Sequence, residues 1–141
     1  MRFMVMVKAN NDSESGVLPT EAEIREMMRF NEELVKAGVM LAGDGLHPSS
    51  RGARVQFSGT KRTVVDGPFT EAKELVAGFW IWQCKSLDEA LEWARRCPNP
   101  SGQGGELEIR QVFEADDFGD AMTDDLRETQ ERLRAQSSQQ H

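Results

Sequence analysis

One turn of this 141-residue chain combines an aspartate with a Gly-Pro pair and further charged side chains: Asp66-Gly67-Pro68-Phe69-Thr70-Glu71-Ala72-Lys73-Glu74. Glycine followed by proline predicts a turn, because the residue before proline is pushed out of the helical region and proline fixes its own φ. Asp66 ends a predicted strand and has two possible roles. Its carboxylate either accepts hydrogen bonds from backbone amides of the turn or acts as a general acid or base beside the charges that follow it.

His47 is the second candidate, and it is the one histidine of the chain apart from the C-terminal residue. It lies in a predicted loop from Gly43 to Gly52 that is rich in turn-forming residues. A single loop histidine is most often incidental. If the loop approaches Asp66, however, the two side chains would form a dyad suited to proton transfer.

A basic stretch separates Asp44 from Asp66, because no acidic residue occurs between them while four cationic ones do: Arg51, Arg54, Lys61 and Arg62. Arg54 and Arg62 could hold a small anion next to the turn. Alternatively, these side chains are solvated charges that protect the edges of a hairpin from pairing with other strands. Both interpretations remain open at this point.

Composition narrows the classes of partner. A net charge of -7 and a pI near 4.9 oppose general nucleic-acid binding, because phosphates would be repelled. No apolar run reaches membrane-spanning length, so we expect no membrane partner and a cytoplasmic protein. Cys84 and Cys97 have neither disulfide nor zinc spacing, and the chain has no glycine-rich phosphate loop. We therefore expect no metal and no cofactor.

The elements that must position these residues follow from periodicity and capping. The pattern predicts strands at 2–8, 39–42, 54–57, 63–65, 79–84 and 106–113, a loop at 10–16, and helices that begin at Thr20 and Ser86. This order predicts an α+β ferredoxin-like sandwich with an extra β-hairpin. We expect that domain to span residues 1–115 and an acidic helical extension with a disordered tail to span 116–141. The extension is either a docking surface for a basic partner or a helix that wraps a dimer.

Two helices can cover only one face of such a sheet. The apolar residues of the first and fifth strands divide into two sets, one for each face: Met4, Met6, Trp80 and Trp82 against Phe3, Val5, Phe79 and Ile81. The second apolar face must be hidden from water. We therefore expect a homodimer that packs sheet to sheet.

Three segments together resemble a known family: Val65 to Glu74 with Gly78-Phe79, Gly43-Asp44-Gly45-Leu46-His47-Pro48, and Asp88-Glu89-Ala90-Leu91-Glu92-Trp93-Ala94. The chain resembles the DGPF-domain branch of the YCII-related family over nearly its whole length. The resemblance implies a dimeric α+β barrel in a bacterial protein of uncharacterised function, often encoded near extracytoplasmic-function sigma factors. It also implies a polar pocket with an aspartate, here Asp66, and a histidine, for which His47 is the candidate.

Two functional hypotheses follow. The first is a cofactor-independent enzyme of the lyase or isomerase type with Asp66 as base, His47 as its partner and Arg54 and Arg62 as an anion clamp. The other contacts with a small anionic substrate would come from the turn: Gly67, Pro68, Phe69 and Lys73. The second hypothesis is a ligand-binding or regulatory module linked to a sigma-factor system. Oxygen-dependent chemistry on aromatic substrates is a third, weaker hypothesis, because fold does not establish function.

Overall fold

The computed structural model describes residues 1–99 and 104–140. In this part of the chain the strands are β1 (Arg2–Lys8), β2 (Met40–Gly45), β3 (Ala53–Ser58), β4 (Lys61–Asp66), β5 (Val76–Gln83) and β6 (Leu107–Gln111). The α-helices are α1 (Asn11–Glu14), α2 (Glu21–Lys36), α3 (Leu87–Arg95) and α4 (Asp124–Gln139). The predicted α+β class is confirmed.

The strands form two sheets. The larger has the order β2-β5-β1-β6, with every neighbouring pair antiparallel. The smaller is the hairpin of β3 and β4, in which Ala53 pairs with Asp66 and Ser58 pairs with Lys61. Gly59 takes a φ of 59° in the connecting turn, a left-handed conformation that glycine adopts without steric cost.

Local capping signals define the helices. Thr20 Oγ1 accepts from Glu23 N at 3.2 Å while Glu23 Oε1 accepts from Thr20 N at 3.1 Å, so α2 starts at the predicted capping box. The stretch predicted as a loop before it contains the one-turn helix α1. Asn10 caps this helix, since its Oδ1 accepts from Ser13 N at 2.8 Å.

The pairing register decides which residues form the core. Phe3 pairs with Trp82 and Val5 with Trp80, and these four side chains are buried together with Phe30 and Leu34 of α2. Residues that pair directly across antiparallel strands share a face of the sheet. The expectation that both tryptophans lie with Met4 and Met6 was therefore wrong.

The opposite face carries a second apolar set, which is half-buried. Met4 pairs with Ile81, and Met6 pairs with Phe79. The two faces of β1 and β5 are therefore both apolar, as predicted, but the tryptophans belong to the face that packs on the helices.

The chain divides into two compact units, Met1–Gln111 and Val112–His141. Within the second unit the rings of Phe113 and Phe118 stack with centroids 4.9 Å apart, and Arg127 forms an ion pair with Asp116 at 2.8 Å. Helix α4 continues to Gln139 through the segment predicted to be disordered. Arginine, alanine and glutamine favour helix, and neither glycine nor proline interrupts the segment. In residues 1–99 and 104–140, no helix combines the length and apolarity needed to span a bilayer.

Candidate functional site

A cavity of about 340 Å³ lies where the loop after β2 meets the start of β3 and the start of β5. We call it the His47 cavity. Its polar walls come from Glu14, His47, Ser49, Arg51 and Arg54, and its apolar walls include Leu46, Phe69, Leu75 and Val76. Its volume falls at the small end of the range of roughly 300–1,000 Å³ that is typical of small-molecule sites.

Two arginines give the cavity its positive character. The guanidinium carbon of Arg54 lies 3.7 Å from the ring centroid of Phe69, a cation–π contact that holds the side chain against the turn. Arg51 Nη1 lies 3.2 Å from both ring nitrogens of His47. Among the residues that the structure describes, neither arginine forms an ion pair with a carboxylate. Their charges are therefore available to an anionic ligand.

Glu14 is held by Ser49 rather than by the arginines. Its Oε1 accepts from Ser49 N at 3.0 Å, and its Oε2 accepts from Ser49 Oγ at 2.5 Å. Ser49 Oγ in turn accepts from Phe69 N at 3.0 Å. This relay joins α1, the His47 loop and the turn, and so fixes three separate segments of chain around one cavity.

Close backbone approach explains the glycine of the turn. A Cβ on Gly67 would lie 1.7 Å from the carbonyl oxygen of Ser49, which is far inside any allowed contact. Gly67 N also donates to Gly52 O at 3.0 Å, and the Gly67–Pro68 peptide is cis. Only glycine lets the turn lie against the His47 loop in this way.

Of the predicted site residues, the structure brings His47, Arg54 and Phe69 together as walls of the cavity. Asp66 is exposed and is not among the lining residues. In the hairpin Arg54 pairs with Val65 and Ala53 pairs with Asp66. Because side chains alternate between faces along a strand, Asp66 points to the face of the hairpin opposite Arg54.

The other predicted contacts lie outside the lining as well. Arg62 donates to Gly59 O and Lys61 O, each at 3.1 Å, and covers the Phe57 ring at 4.5 Å, so it belongs to the hairpin tip. Gly67 and Pro68 shape the turn through their backbone. The side chain of Lys73 lies outside the part of the chain that the structure describes.

Sequence reasoning missed Glu14 and Ser49 as site residues and treated Arg51 only as part of a basic stretch. The signal for Glu14 was weak: Asn10 and Ser13 mark a helix start that would have placed it on an ordered turn. No local pattern indicates that Glu14 and Ser49, which are 35 positions apart, form hydrogen bonds.

The cysteines lie apart from this cavity. Burial raises the pKa of the Cys97 thiol to about 11, and burial followed by the Glu89 carboxylate raises the pKa of Cys84. Both are free thiols. Within residues 1–99 and 104–140, no three His, Cys, Asp or Glu side chains cluster in a way that could hold a metal ion.

The chain is similar in sequence to a protein family and to a protein from another organism. A family model described as the YCII-related domain matches residues 1–116. An uncharacterised protein from Rhizobium meliloti (strain 1021) is 36% identical over 92 residues, which cover 65% of this chain and 74% of that protein.

Among solved structures, the chain is similar to a 5-chloro-2-hydroxyhydroquinone dehydrochlorinase from Burkholderia phenoliruptrix AC1100, in complex with 2,5-dihydroxybenzoquinone. The TM-score is 0.45 and the identity is 16%, over 81% of this chain and 95% of that one. At this similarity the likeness says nothing about what this chain binds.

Proposed function

Because the chain belongs to the YCII-related family, whose matched relative is uncharacterised, we propose a function from the His47 cavity itself. We propose a cofactor-independent enzyme of the lyase or isomerase type that acts on a small anionic molecule. The observation that carries this proposal is one small cavity lined by the imidazole of His47 and by two guanidinium groups that, among the described residues, form no ion pair with the Glu14 carboxylate in its wall.

Arg54 and Arg51 would bind the anion. A guanidinium offers several N–H donors in a planar fork that matches a carboxylate or phosphate. The face of Arg54 is occupied by the Phe69 ring, which leaves the edges of the fork as the binding surface. The sequence predicted Arg62 as the second arginine of the clamp. In this proposal Arg51 takes that role, because Arg51 lines the cavity.

His47 would transfer the proton. Imidazole can donate or accept near neutral pH, and the ring lies in the same wall as both arginines. Asp66 as the partner base stays a prediction, because its side chain belongs to the opposite face of the hairpin from Arg54. We therefore expect His47 and Asp66 to be distinguished by substituting each of them.

We also propose that the larger sheet is the ferredoxin-like half of a dimeric α+β barrel. Two observations support this proposal: the strand order β2-β5-β1-β6 and the second apolar face formed by Met4, Met6, Phe79 and Ile81.

To test anion binding, benzoate or its neutral analogue benzamide is added to the protein. The ring signals of His47 are monitored by NMR. Benzoate should shift these signals and benzamide should not. Arg54→Gln and Arg51→Gln should each weaken benzoate binding about tenfold or more, as expected for a lost charged hydrogen bond. Arg62→Gln is the matched control and should leave binding unchanged. Equal weakening by all three variants would contradict the assigned cavity.

Turnover is tested by hydrogen exchange in D₂O at the carbon next to the carboxylate, across a panel of small hydroxy and keto acids. An enzyme of this type should exchange at least one acid, and His47→Gln should slow that exchange about 10²–10⁴-fold. A comparable loss in Asp66→Asn would support the dyad. Anion binding without exchange of any acid would instead favour the ligand-binding or regulatory module.

A further inference from the structure

A second cavity, of about 480 Å³, lies between α2 and the paired strands β2 and β5. We call it the α2 groove, and its walls include Ile24, Met27, Asn31, Gly45 and Trp80. We propose that the α2 groove binds a neutral aromatic molecule with one hydrogen-bond acceptor, such as a ketone. This inference does not depend on the function proposed for the His47 cavity.

Asn31 supplies the polar anchor. The indole Nε1–H of Trp80 can only donate, so the amide atom that it meets at 2.9 Å is the Asn31 carbonyl oxygen. This bond orients the amide and leaves both N–H groups of Asn31 Nδ2 without an acceptor among the described residues. A ligand oxygen in the groove would satisfy one of them.

One side of the groove is aromatic, and the opposite side has flexible apolar side chains. Trp80 is held edge-on against Phe30, with ring centroids 5.9 Å apart, and is almost fully buried. Across the groove, Met27 is half-buried, whereas Met28 and Ile24 are exposed. Methionine side chains adjust their shape and make favourable contacts with aromatic rings, so this wall suits a flat ligand.

The glycines of β2 keep the groove open. A Cβ on Gly43 would lie 2.6 Å from Trp80 Cδ1, so that position faces the tryptophan. Gly45 lies two residues further along the same strand and therefore faces the same side. A Cβ there would meet nothing within 4 Å. The space over Gly45 is thus part of the groove and can be filled by mutation.

Charge sets the class of ligand. Two ionisable residues are among its walls, Glu23 and Asp44. Asp44 pairs with Phe79, so its side chain belongs to the face of the sheet opposite Trp80, and Glu23 is the remaining carboxylate. No Lys, Arg or His of the described chain is among its walls. The Glu23 carboxylate disfavours an anion, in contrast to the His47 cavity with its two arginines. The N–H groups of Asn31 bind an acceptor rather than a cation, so we propose a neutral ligand.

The first experiment titrates the ¹⁵N-labelled full chain with acetophenone and follows the Trp80 indole and the Asn31 side-chain amide. Acetophenone should shift both signals along a saturable curve. Benzoate, which has a similar size but carries a negative charge, should leave them in place. Absence of saturable shifts up to the solubility limit of acetophenone would overturn the proposal. Shifts of these signals that depend on protein concentration would also overturn the proposal, because a second copy of the chain would then occupy the groove.

Three substitutions at two positions locate the site. Gly45→Phe should abolish acetophenone binding by filling the groove, while Gly45→Ala should retain it. Asn31→Asp keeps an oxygen for Trp80 but removes the N–H donors, so it should weaken acetophenone about 3- to 10-fold and leave ethylbenzene, which has no acceptor, unaffected. Unchanged acetophenone binding in Asn31→Asp would overturn the proposal even if Gly45→Phe fails to fold.

Discussion

At the scale of single residues, Ser49 organises the His47 cavity. Its hydroxyl donates to Glu14 and accepts from Phe69 N, while its own N–H donates to Glu14. The Glu14 carboxylate thus binds Ser49, and among the described residues it forms no ion pair with Arg51 or Arg54. Ser49 therefore connects α1, the His47 loop and the turn at one point of the cavity.

Cys97 provides a prediction about pH. Its pKa rises from the ordinary value of 9.0 to about 11 because the thiolate is disfavoured by burial. Between those values the unfolded chain loses its thiol proton while the folded chain keeps it. The free energy of unfolding should therefore fall as pH rises from 9.0 to about 11. Below pH 9.0 the Cys97 thiol keeps its proton in both the folded and the unfolded chain, so this group does not lower the free energy of unfolding there.

Urea denaturation at a series of alkaline pH values measures the effect. Cys97→Ala should show a shallower decline than the parent chain. The sequence has no tyrosine to titrate in this window, and the lysines are common to both proteins. Identical slopes would show that Cys97 does not contribute.

At the scale of elements, the turn after β4 is docked against the His47 loop by backbone contact. Gly67 N donates to Gly52 O, Phe69 N donates to Ser49 Oγ, and the Ser49 carbonyl fills the space where a side chain at Gly67 would lie. The hairpin of β3 and β4 is mostly exposed. These contacts therefore secure the base of the hairpin next to the cavity.

Gly67→Ala should be strongly destabilising. Its Cβ would meet a backbone oxygen, which cannot move aside as the end of a flexible side chain can. We expect a loss of about 3 kcal/mol or more in the free energy of unfolding, at the upper end for overpacking. Gly45→Ala is the control, since its Cβ meets nothing within 4 Å, and it should change stability little. Equal urea midpoints for the two variants would contradict the close approach.

At the scale of the whole molecule, the larger sheet presents apolar residues on both faces. The helices α2 and α3 supply buried residues to the core beside Phe3 and Trp82. The opposite face has Ile81 and Phe79 beside Met4 and Met6. An apolar face of this kind favours association with a second copy.

We predict a homodimer that buries this face. The parent chain should sediment as a dimer at micromolar concentration, and Ile81→Lys should be monomeric because a charge would have to be buried unpaired in the interface. Leu18→Lys is the matched control: Leu18 is 83% exposed, so the same change there should leave the dimer intact. A monomeric parent chain would refute the sheet-to-sheet interface.

Much of the local structure was predictable from the residues themselves. The capping box at Thr20, the hairpin between Arg54 and Val65, and the resemblance to the YCII-related family are all confirmed. Each depends on residues close in sequence or on a contiguous motif. The register of β1 against β5 was not predictable, because alternation alone does not say which set pairs with which.

The candidate site was also predictable only in part. The sequence by itself determined that a basic stretch, a histidine loop and a Gly-Pro turn follow one another. Only the tertiary structure decided that Arg54 lines the cavity while Asp66 and Arg62 do not, and that Glu14 reaches Ser49. The physical reason is that side-chain direction depends on strand register, and contacts between distant segments depend on how closely their backbones approach.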